Sequence, residues 1–159
     1  MVLKKLTAFF YFKLLSLRLE CFKRISVNKQ QKKFIVTGLI LIITGIILGA
    51  FGAHGLKGKV SIEKLTAFET AVRYQLFNGV GMLALAGAST LFRFSIKTSF
   101  WLILTGVILF SGSIFAMTIQ ELLQTPISKV LGPITPLGGL MMIVGWLLIL
   151  IHAMRQKSI

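Results

Sequence analysis

The chain predicts an all-α membrane protein, a bundle of four transmembrane helices with a basic N-terminal arm. Three observations lead there. Composition is the first: 55% of the residues are apolar and the mean hydropathy is +0.87, above what soluble domains carry. The second is a set of four long stretches almost free of charge, each bounded by charged residues and each long enough to cross hydrocarbon. The third is the placement of the basic residues. A net charge of +14 in a soluble chain would point to nucleic acid. Here most lysines and arginines flank the apolar runs, where they meet lipid head groups and orient the protein. The lipid bilayer is therefore the expected partner, and nucleic acid is not. A length of 159 residues suits one domain. Cys21 is the single cysteine, which excludes an intrachain disulfide and a cysteine metal cluster.

Residues 1–33 make the basic arm, nine lysines and arginines against Glu20 alone. Leu3, Leu6, Phe10, Leu14, Leu17 and Cys21 recur at helical spacing, as in a helix lying on the membrane surface. Phe9, Phe12, Leu15 and Leu19 spread apolar surface around that helix, however. A signal peptide fits poorly, because Lys13 interrupts the apolar part and no small-residue cleavage site follows. In a third reading Val27 marks a valine-encoded bacterial start, leaving residues 28–33 as a short basic lead-in. Peptides from residues 1–26 in the native protein, found by mass spectrometry, would exclude it.

Residues 34–53 carry no charge. At about 1.5 Å each they reach roughly 30 Å, the thickness of the hydrocarbon core, and form the first span. The second is 74–92, between Arg73 and Arg93; the third 98–120, between Lys97 and Glu121; the fourth 135–154, between Lys129 and Arg155. The transmembrane domain is thus 34–154, followed by a tail at 155–159. In lipid these segments must be helices, since nothing else satisfies their backbone. Gly55 and Gly58 read as a helix stop and turn. Ser61 reads as the N-cap of a new helix, with Glu63 near its positive end, running through Phe68 directly into the second span. The short link at 93–97 makes spans two and three antiparallel neighbours. Pro126, Pro133 and Pro136 all fall between spans three and four or in the first turn of span four, so no span interior is broken.

Thirteen lysines and arginines lie on the side of the termini and the 93–97 link, and five on the other. Both termini are therefore expected in the cytoplasm. Without residues 1–26 the contrast is seven to five.

Small residues are frequent in the spans, among them Gly45, Gly49, Gly79, Gly106, Gly138 and Gly145. They let helices approach closely in lipid, which favours a tight bundle over a glycine-lined pore. Depth adds more. In the expected topology His54, Glu69, Arg73, Gln75, Asn78, Ser111, Ser113 and Thr135 all lie toward the outer leaflet and form a candidate functional or packing layer. Glu69 and Arg73 are four apart and can pair along a helix, more as an interfacial anchor than as catalysts. Gln75 and Asn78 lie on another face, where amides usually cross-link helices. His54 is able to titrate near neutrality as a sensor or proton relay; the favoured alternative is an interfacial histidine bonded to a backbone carbonyl. Ser111 and Ser113 are expected to bond back to their own helix.

An enzyme is not expected, and no catalytic, cofactor or metal site is assigned. Ser113 would need a base at its own depth, whereas His152 lies at the cytoplasmic end of span four and His54 near the outer surface. No zinc-protease, nucleophile-elbow or phosphate-loop motif is present.

Four segments in order, 49–54 (GAFGAH), 68–76 (FETAVRYQL), 109–114 (LFSGSI) and 132–139 (GPITPLGG), followed by Gly145 and Trp146, resemble a family of small integral-membrane proteins, domain of unknown function 423. That family includes bacterial inner-membrane proteins and the transmembrane protein 256 of animals. The resemblance covers about residues 34–154 and implies four helices in a bacterial plasma membrane. Its members usually have a histidine shortly after the Tyr-Gln pair, where this chain has Asn78; proton chemistry at that histidine would not transfer here. The resemblance implies no biochemical role. The leading expectation is a non-enzymatic multi-pass membrane protein whose polar layer serves helix packing and a small polar site. The alternatives are a small-solute or ion transporter or channel acting as a homo-oligomer, and an assembly or scaffold partner of other membrane proteins. An intramembrane enzyme ranks last.

Overall fold

The computed structural model describes residue 13 and residues 27–92, 94–126 and 131–156. The rest of the basic arm and of the C-terminal tail, and the question of a start at Val27, lie outside the described residues. Four long helices follow one another: α1 (Lys29–Phe51), which runs on into one π-helical turn (Gly52–Leu56), α2 (Ile62–Ala88), α3 (Lys97–Leu122) and α4 (Leu131–Arg155).

Each helix begins where local chemistry supplies a start. Asn28 caps α1: its Oδ1 accepts from the Gln31 amide at 2.8 Å, and Gln31 Oε1 accepts from the Asn28 amide at 2.9 Å. This reciprocal box makes Lys29, Lys32 and Lys33 part of the helix, so α1 starts five residues before the charge-free stretch. Ser61 caps α2 as expected, its Oγ accepting from the Lys64 amide at 3.4 Å. The Ser61 amide itself donates to Glu121 Oε1 at 2.6 Å, which ties the start of α2 to the end of α3. Gly58, with φ of +75°, supplies the left-handed residue of the turn between the π-helical segment and Ser61. α4 begins at Leu131, four residues ahead of the expected 135. Pro136 therefore sits inside a helix, where it deprives the Gly132 carbonyl of its usual donor. The expectation that Pro136 lies in the first turn of the last span is corrected to that extent: it lies in the second turn.

The helices run up, down, up, down. Gly38 faces Gly79 across α1 and α2, and Gly106 faces Gly138 across α3 and α4. A Cβ built on Gly38 would lie 2.8 Å from the Gly79 carbonyl oxygen, and one on Gly106 2.8 Å from that of Gly138. Backbones this close admit no side chain between them. Buried apolar residues fall into two groups. Phe34, Phe100, Ile103 and Met82 belong to the larger, and Leu56, Phe68 and Val72 form the smaller, beneath the π-helical turn.

Three helical segments, Lys29–Leu56, Lys97–Leu122 and Leu131–Arg155, have the length and apolar character to cross a bilayer. α2 differs because Glu69, Arg73, Gln75 and Asn78 fall within its first two thirds. The outward faces are oily. Ile40, Ile43, Ile46 and Ile47 on α1 and Leu140, Ile143 and Leu147 on α4 are exposed, a surface that suits acyl chains and not water.

Candidate functional site

The two amide side chains of α2 are spent on its neighbours. Gln75, 5% exposed, donates from Nε2 to the Leu41 carbonyl at 2.9 Å and to Thr44 Oγ1 at 2.7 Å, both on α1. Asn78 faces α4. Its Oδ1 accepts from Trp146 Nε1 at 2.9 Å, while Nδ2 donates to the Tyr74 carbonyl at 2.8 Å and lies 3.4 Å from Met142 Sδ. The indole is a donor only, so this contact fixes which end of the amide is oxygen. Toward α3, Ser111 Oγ donates to the Ala71 carbonyl at 2.9 Å. α2 thus touches each of the other three helices through a hydrogen bond.

Ser113 and Thr135 join α3 to α4, with Oγ and Oγ1 2.7 Å apart. Ser113 Oγ also lies 3.0 Å from the Phe110 carbonyl and Thr135 Oγ1 3.5 Å from that of Leu131. The shorter bonds are all made when Ser113 donates to Phe110 and Thr135 donates to Ser113. Of the eight residues singled out, five therefore meet a neighbouring helix: Gln75, Asn78, Ser111, Ser113 and Thr135. Three do not. His54 sits exposed on the π-helical turn, with no hydrogen-bond partner among the described residues. Glu69 and Arg73 face outward, 55% and 60% exposed, with a carboxylate-to-guanidinium distance of 4.0 Å and Arg73 Nε donating to the Glu69 carbonyl at 3.4 Å. Side chains so open gain little from pairing.

Two partners were not among the eight, Trp146 and Thr44. Trp146 had a signal in the sequence: an indole N–H within an otherwise apolar helix must find an acceptor in lipid. Thr44 had none beyond being a hydroxyl in an apolar run.

Above the Asn78–Trp146 contact a cleft of about 960 Å³ opens sideways between α2 and α4. Tyr74, Phe77, Met142, Ile143 and Leu147 line its walls, and Phe110 of α3 reaches into it, 4.9 Å from the Tyr74 ring. The cleft is oily, with one amide, already bonded, at its base. Among the described residues no group of three histidines, cysteines or carboxylates is placed to hold a metal, and no buried side-chain nitrogen or oxygen lacks a hydrogen bond. His152 stacks on Phe94 with ring centres 5.0 Å apart, at the end of the bundle opposite Ser113.

A family model described as a protein of unknown function (DUF423) matches residues 48–139. Among curated proteins, the UPF0382 membrane protein of Staphylococcus haemolyticus is 36% identical over 125 residues, and its counterpart in a bovine strain of Staphylococcus aureus 38% identical over 125. The UPF0382 membrane protein YwdK of Bacillus subtilis is 35% identical over 127 residues. In each case 79% of this chain and 98% of the relative are covered. No solved structure matches.

Proposed function

The chain belongs to the DUF423, or UPF0382, family of multi-pass bacterial membrane proteins, and from that premise we propose that it acts by binding and not by catalysis. Its polar layer holds the helices together, and its α2–α4 cleft receives a lipid-soluble ligand. One observation carries this reading: no buried polar side-chain atom among the described residues is left without a hydrogen bond. A conducting path or an active site needs polar groups that can turn to a solute or a reacting atom. Here Gln75, Asn78, Ser111, Ser113 and Thr135 bind one helix to the next. The cleft opens to the side, so its occupant arrives from the bilayer. The orientation that goes with this has both termini in the cytoplasm and the bundle in the cell membrane, supported by the excess of lysine and arginine on the terminal side.

The test compares the wild type with Gly139→Leu. Gly139 lines the cleft, and a Cβ there would only touch the Phe110 ring, at 3.6 Å, so leucine fills the space without pressing on backbone. Protein purified in mild detergent is extracted and its hydrophobic molecules quantified. The wild type is expected to carry a bound molecule that Gly139→Leu lacks, with equal helix content. Equal amounts in both would overturn the cleft. Proton or potassium flux through wild-type liposomes, lost in Asn78→Leu at unchanged thermal stability, would overturn the non-conducting reading.

A further inference from the structure

We propose that the pocket between the starts of α1 and α3 is a binding site for an anionic phospholipid, its phosphodiester held by Lys29, Lys33 and Lys97. This inference requires only that the bundle sits in a membrane, and it is independent of the α2–α4 cleft.

The helices that form the site are parallel neighbours that both begin here. Phe34 of α1 and Phe100 of α3 pack with ring centres 4.7 Å apart and planes tilted by 58° and form the floor. Over them lies a pocket of about 310 Å³ bounded by Lys29, Lys33, Lys97, Gln30 and Trp101. A second, of about 400 Å³, shares Lys29, Lys33, Phe100 and Trp101 with the first, adds Lys32 at its edge and continues to Val36, Thr37 and Leu104. The result is a channel on the lipid-facing side of the bundle with a charged mouth and an apolar throat. From Lys97 to Leu104 is seven residues, about 10 Å along the helix, so the throat descends from head-group depth into hydrocarbon. Trp101 stands one turn below Lys97, at the depth where tryptophan favours the membrane interface.

Charge complementarity names the occupant. All three lysines are exposed, and none has a carboxylate partner among the described residues. The described carboxylates, Glu63, Glu69 and Glu121, lie in the other half of the bundle, at the start of α2 and the end of α3. The positive ends of two helix dipoles add to the field. Ile96 at the N-cap of α3 offers no side-chain acceptor, and the Lys97 amide is met by the Ser95 hydroxyl at a long 3.4 Å. Basic pockets between transmembrane helices recognise anionic head groups in this way. A free phosphate satisfies the mouth equally well, but it makes no use of the throat. A phospholipid fills both.

Trp101 is the reporter. In Trp146→Phe it is the sole tryptophan. That protein is reconstituted in phosphatidylcholine vesicles containing increasing fractions of chain-brominated phosphatidylglycerol or chain-brominated phosphatidylcholine. Trp101 fluorescence is expected to be quenched at a several-fold lower fraction of the anionic lipid. Lys29→Gln, Lys33→Gln and Lys97→Gln should each lower that preference by up to about fivefold at low salt. Arg155→Gln, at the same end but not lining the pocket, should leave it unchanged. Equal quenching by both lipids overturns the site. So does an Arg155→Gln loss as large as that of Lys97→Gln, which would mean general surface attraction. Inorganic phosphate that abolishes the preference, where chloride of equal ionic strength does not, would assign the mouth to a soluble anion and overturn the lipid. Native mass spectrometry of the wild type and of the three lysine variants gives the same comparison with Trp146 intact.

Discussion

Gly138→Ala puts one methyl group where α3 and α4 touch backbone to backbone. A Cβ on Gly138 would collide with the Phe110 amide nitrogen and lie 2.8 Å from the Gly106 carbonyl oxygen and 2.9 Å from Phe110 Cα. Ordinary contact begins at 3.4 Å, and all three obstacles are backbone, so no rotamer change relieves them. The helices have to part by about half an ångström or more. That loosens the Ser113–Thr135 bond at 2.7 Å and the seat of Ile103 against Gly145. Overpacking of this kind costs about 1–3 kcal/mol. Alanine also favours a helix over glycine, by about 1 kcal/mol, and would mask part of the loss. Gly112→Ala removes that ambiguity. Gly112 is on the same pair of helices, exposed, with nothing within 4 Å of an added Cβ. The propensity gain is common to both variants, so their difference isolates the packing cost. Unfolding in mild detergent, followed by far-ultraviolet circular dichroism, should place Gly138→Ala about 1–3 kcal/mol below Gly112→Ala. A gap under about 0.5 kcal/mol, within ordinary non-additivity, would refute the claim that glycine at 138 is there for close approach.

Three further predictions concern the hydrogen bonds. Gln75→Leu should destabilise the bundle by about 0.6–1.7 kcal/mol in the same unfolding assay. The loss stays modest because Thr44 Oγ1 keeps its 2.7 Å bond to the Ile40 carbonyl and the Leu41 carbonyl remains in the helix ladder. A double-mutant cycle of Ser113→Ala and Thr135→Val should give a coupling of about 0.6 kcal/mol; additive effects would show that the 2.7 Å contact contributes nothing. Glu121→Ala should speed hydrogen exchange at the Ser61 amide, which loses its acceptor, while exchange in the middle of α2 stays unchanged.

The positions of the helices were legible for simple reasons. Lipid demands about twenty apolar residues per crossing, and charge marks the edges of each run. Ser61 was readable as a cap because a hydroxyl before a helical pattern, followed by an acidic first turn, has few other uses. Asn28 and Gln31 carry an equally clear box, yet they stand in a basic stretch that reads as an arm leading to the membrane. The early start of α4 was hidden by its prolines. Pro133 lies in the first turn, where an amide is not needed, and Pro136 sits one turn deeper. Residue type alone does not say how many turns precede a proline.

The polar residues of the candidate layer were legible by type, but not the helix each would meet. A helix rotates about 100° per residue, so residues at one depth point every way. Ser111 and Ser113, two apart, illustrate this: one bonds to α2, the other to α4. Both serines had been expected to bond to their own helix, and only Ser113 also does so. Glu69 and Arg73 lie within three turns of Asn78 yet face outward. α2 explains the difference. It is the most polar of the four helices, and a helix with two amides facing lipid would be costly to insert alone. Leu41 and Thr44 of α1 and Trp146 of α4 offer those amides partners, and the Ala71 carbonyl of α2 itself accepts from Ser111 of α3. The polarity that makes α2 a poor span in isolation is what fixes its place among the others. A substitution that emptied α2 of amides, Gln75→Leu with Asn78→Leu, should therefore raise its hydropathy and still weaken the bundle. A double variant more stable than wild type would show that these amides serve something other than packing.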